Sequence, residues 1–67
     1  MSQTKPLKNK EKFIRVYANL PLGIREEVVC VLGDGKPVTW NVAFLEIENN
    51  TKIAEEILRK LINLKII

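Results

Sequence analysis

The sequence predicts an α+β fold, a small single domain with an N-terminal helix, a β-hairpin and then two helices packed on the hairpin. Three observations predict it. Apolar residues recur at helical spacing on both sides of a β-branched run, "VVCVL" at 28 to 32. An Asp34-Gly35 pair follows that run at once, a strong signal for a tight hairpin turn. The chain has 67 residues, enough for one small core and no second domain.

The first element starts at Asn9, a plausible N-cap. Phe13, Val16, Tyr17 and Leu20 form a helical stripe, with Ile14 at its edge, that ends before Pro21. "PLGIREE" is too short and too marked by Gly and Pro for a full helix, so a single helical turn is expected to lead into the strand.

The strand is expected over 27 to 32. A two-residue turn at Asp34-Gly35 would set Leu32 opposite Pro37, Val31 opposite Val38, Cys30 opposite Thr39 and Val29 opposite Trp40. In that register Val29, Val31, Val38 and Trp40 share the core face, while Val28, Cys30, Leu32 and Pro37 form a second apolar face. A three-residue loop would shift the register by one.

Thr39 can cap the next helix, in which Trp40, Ala43, Phe44 and Ile47 share a face. Trp40 then sits where the apolar faces of hairpin and helix meet, and packing accounts for it without a ligand. The alternative is a platform for stacking a base or a Pro-rich peptide. "NNT" at 49 to 51 breaks the run, and Thr51 restarts it as the N-cap of a last helix over 52 to 63. Ile53, Ala54, Ile57, Leu58, Leu61 and Leu64 lie on one side of it. Lys52 with Glu56, Glu55 with Arg59 and Glu56 with Lys60 are spaced for ion pairs on the other. "LKII" at the end is expected to tuck under the core or add a short strand.

Several function classes are disfavoured by residue type. There is one cysteine, Cys30, and no histidine, so neither a disulfide nor a zinc site can form within one chain. A reactive thiol needs an electropositive, exposed setting or a histidine partner, and Cys30 lies in the middle of an apolar strand. The eight carboxylates show neither a spacing that faces two of them into a cleft nor an EF-hand pattern. "GDG" lacks the lysine spacing and following helix of a phosphate loop. "NNTKIAEEIL" has no turn glycine or polar recognition helix after it to complete a helix-turn-helix. The expectation is a protein that is not an enzyme and needs no cofactor or metal.

Charge is unevenly spread, with +4 over residues 1 to 15, −3 over 16 to 50 and +2 over 51 to 67. Residues 1 to 9 are expected to be a disordered basic tail and 10 to 67 the compact domain. The apolar runs are too short to span a bilayer, and the N-terminus lacks the apolar stretch of a signal peptide. Together with an unpaired cysteine, this points to a cytoplasmic protein, of prokaryotic flavour by its Asn, Lys and Ile content.

Surplus hydrophobicity is left over. The predicted second hairpin face, with Val28, Cys30 and Leu32, and the helix side opposite Trp40, with Val42 and Leu45, make a candidate protein interface. The leading expectation is therefore a small protein-interaction or regulatory module, homodimeric and binding a partner protein that the sequence does not identify. The alternative is nucleic-acid binding through an arm of Lys5, Lys8, Lys10, Lys12 and Arg15.

Overall fold

The computed structural model describes residues 9–67. The elements run α1 (Lys10–Ala18), a 3-10 turn (Ile24–Glu26), β1 (Val28–Val31), β2 (Pro37–Thr39), α2 (Trp40–Glu48) and α3 (Lys52–Asn63). This is the predicted helix, hairpin, helix, helix order, with the two strands antiparallel. Lys5, Lys8 and nearly all of the tail expected to be disordered lie outside the described residues.

The hairpin corrects the predicted register. Cα partners are Val31 with Pro37, Cys30 with Val38 and Val28 with Thr39, and a bulge falls between Val28 and Cys30. The loop is Gly33-Asp34-Gly35. Leu32 N–H donates to the Lys36 carbonyl at 2.9 Å and Gly35 N–H to the Leu32 carbonyl at 2.8 Å. Gly35 adopts φ 89°, the left-handed residue that ends a three-residue loop. Asp34 Oδ1 accepts from Lys36 N–H at 3.0 Å and braces the turn. The extra loop residue exchanges the faces at the turn end of β1, so that Cys30 and Leu32 point into the core with Val38 and Val31 points out, while the bulge keeps Val28 on the outer face, where the two-residue register also places it. Val29, at the bulge, is half-buried.

Phe13, Val38, Trp40, Ala43, Ile47, Ala54, Ile57, Leu58 and Leu61 complete the core with Cys30 and Leu32. A chain of aromatic rings runs through it. Phe13 stacks on Trp40 with centroids 5.8 Å apart and on Tyr17 at 5.9 Å, and Tyr17 stacks on Phe44 at 4.4 Å. Trp40 is buried as the first residue of α2, and Thr39 caps that helix by accepting from Val42 N–H at 3.1 Å.

Both later helices end on the same device. Asn50 (φ 54°) follows α2 and Lys65 (φ 60°) follows α3 in the left-handed conformation. Asn50 N–H reaches the Ile47 carbonyl and Thr51 N–H that of Glu46, and Lys65 and Ile66 repeat the pattern onto Ile62 and Leu61. Two expectations change as a result. The Thr51 hydroxyl makes no cap to α3 but donates to Glu46 Oε1 at 2.5 Å. Leu64, expected in the core stripe, is 61% exposed because the chain leaves the helix there, and Ile67 packs on the core instead. Glu56 links hairpin to helix, its Oε2 accepting from Gly33 N–H at 2.9 Å.

Candidate functional site

The outer face of the hairpin gathers the exposed apolar side chains nearest to the predicted interface. Val28 is 55% and Val31 50% exposed in β1, and Pro37, the partner of Val31, is exposed beside it. Val28 pairs with Thr39, and the Thr39 hydroxyl accepts from Val42 N–H where β2 passes into α2. Val42 is 41% exposed, and Leu45, one helical turn on, is 57% exposed. Thr39 is the polar residue at the junction, and none of these side chains is charged.

Of the predicted interface residues, Val28, Val42 and Leu45 are therefore at the surface. Cys30 and Leu32 are not: at 6% and 5% exposure they belong to the core, and Val31 takes their place on the outer face. The reason is the single-residue shift described above. The sequence signal that would have found Val31 is Gly35, which serves equally as the left-handed last residue of a three-residue loop that begins at Gly33.

Cys30 has the environment of a packing residue. Burial pushes its thiol above the ordinary value, Lys60 opposes that rise and Glu56 adds to it. A thiol held protonated in this way is a poor nucleophile at neutral pH.

The basic residues of the alternative reading are only partly brought together. Lys12 and Arg15 are exposed on α1 and Lys10 is half-buried. Lys10 and Arg15 line a shallow cleft of about 450 Å³ with Ile14, Ala18 and Glu11, whose carboxylate dilutes the positive charge.

Arg25 is a structural group that sequence reasoning missed. It lies in the 3-10 turn with its guanidinium 4.3 Å from the Tyr17 ring centre, and its Nη2 donates to the Tyr17 carbonyl at 3.1 Å. The Tyr17 hydroxyl in turn donates to Asn41 Oδ1 at 2.6 Å, which joins α1 to α2. These contacts position the turn before β1 and leave Leu22 and Ile24 exposed at its start.

Among the described residues no helix is long and apolar enough to cross a membrane, and no group of three or more His, Cys, Asp or Glu is placed to hold a metal ion. Comparison with protein-family models, with curated proteins and with solved structures gave no match.

Proposed function

We propose that this protein is a non-enzymatic interaction module, cytoplasmic and self-associating, that docks protein through the outer face of its hairpin and the adjoining side of α2. The observation that carries the reading is the uncharged, exposed group Val28, Val31, Val42 and Leu45. Single exposed apolar residues need no explanation, but here Val28 and Val31 share one face of β1 and Val42 and Leu45 one side of α2, and exposed apolar groups that share a face are of the kind that marks a contact surface. Burial holds the Cys30 thiol protonated, and the two half-buried carboxylates, Glu46 and Glu56, are engaged by the Thr51 hydroxyl and Gly33 N–H, which favours binding over catalysis.

Nucleic-acid binding is the competing reading, supported by Lys10, Lys12 and Arg15 on α1. Affinity purification from the native host, with and without nuclease, separates the two when wild type is compared with Leu45→Lys. A retained protein that survives nuclease and is lost with Leu45→Lys supports docking through this face. Retention that nuclease abolishes and Leu45→Lys leaves intact supports the basic helix instead.

A further inference from the structure

We draw no further inference here: the strongest candidate, the exposed apolar outer face of β1 that carries Val28 and Val31, supports none, because nothing in the structure shows what covers it.

Discussion

Arg25 lies over the Tyr17 ring at 4.3 Å while its Nη2 donates to the Tyr17 backbone carbonyl at 3.1 Å, so one side chain grips both the ring and the last turn of α1. A cation at the C-terminal carbonyls of a helix is favourable, and stacking on an aromatic face adds to it. Arg25→Ala is expected to cost about 1–2 kcal/mol in urea denaturation followed by Trp40 fluorescence. Arg25→Lys, which keeps the charge but loses the planar fork, should recover only part of that. If the alanine variant unfolds at the wild-type urea concentration, the clamp contributes nothing.

The aromatic chain makes a graded prediction. Trp40→Ala should cost about 3–5 kcal/mol, close to the whole stability of so small a domain, and leave it largely unfolded. Tyr17→Phe removes only the hydroxyl bonded to Asn41 and should cost about 1 kcal/mol with the stack intact. Equal losses would mean that the rings do not act as core.

Cys30 should react slowly with a thiol reagent in the folded protein and quickly after denaturation. Its thiol titrates above the ordinary value when folded, so the unfolded chain loses that proton first as pH rises. The stabilisation it contributes is complete below the unfolded thiol pKa of about 8.5 and falls away as pH rises from there through the elevated folded value. Cys30→Val should flatten that part of the stability profile. Equal labelling rates in the two states would place the thiol at the surface.

Element order, the limits of α3 and the core position of Trp40 were all legible from periodicity, because each rests on contacts that repeat every three or four residues. The register was not. Asp34-Gly35 supports a two-residue turn as its two central positions, and supports a three-residue loop equally well with Gly35 as its left-handed last residue. Local chemistry is satisfied either way, and the choice is made by burial of Cys30, Leu32 and Val38. Arg25 was illegible for another reason: its contact with Tyr17 exists only once the chain turns back at Pro21 and Gly23, and no local pattern marks it. The interface prediction inherited the register error at Cys30 and Leu32 and kept Val28, Val42 and Leu45, two of which are helical and independent of it.

The loop can be tested at its glycines. Gly35 has φ 89°, so Gly35→Ala should cost about 1 kcal/mol or more although nothing crowds a Cβ there. Gly23, at φ −65° and equally uncrowded, should accept alanine with no loss or a small gain. Identical responses in thermal denaturation would contradict the backbone assigned to the turn.

The sharpest test of the hairpin compares lysine at two adjacent positions, since a one-residue slip moves every β1 side chain to the opposite face. Leu32 is 5% exposed and Val31 50% exposed. Leu32→Lys puts an ammonium into a core that has no buried polar or charged residue among those described, at a cost of several kcal/mol, enough to unfold the domain. Val31→Lys leaves its charge in water and should keep monomer stability within about 1 kcal/mol. The two-residue register predicts the opposite order, with Val31 as the core residue. Circular dichroism melts at low protein concentration, where association does not contribute, decide between them: a folded Leu32→Lys beside an unfolded Val31→Lys would restore that register and remove Val31 from the docking face.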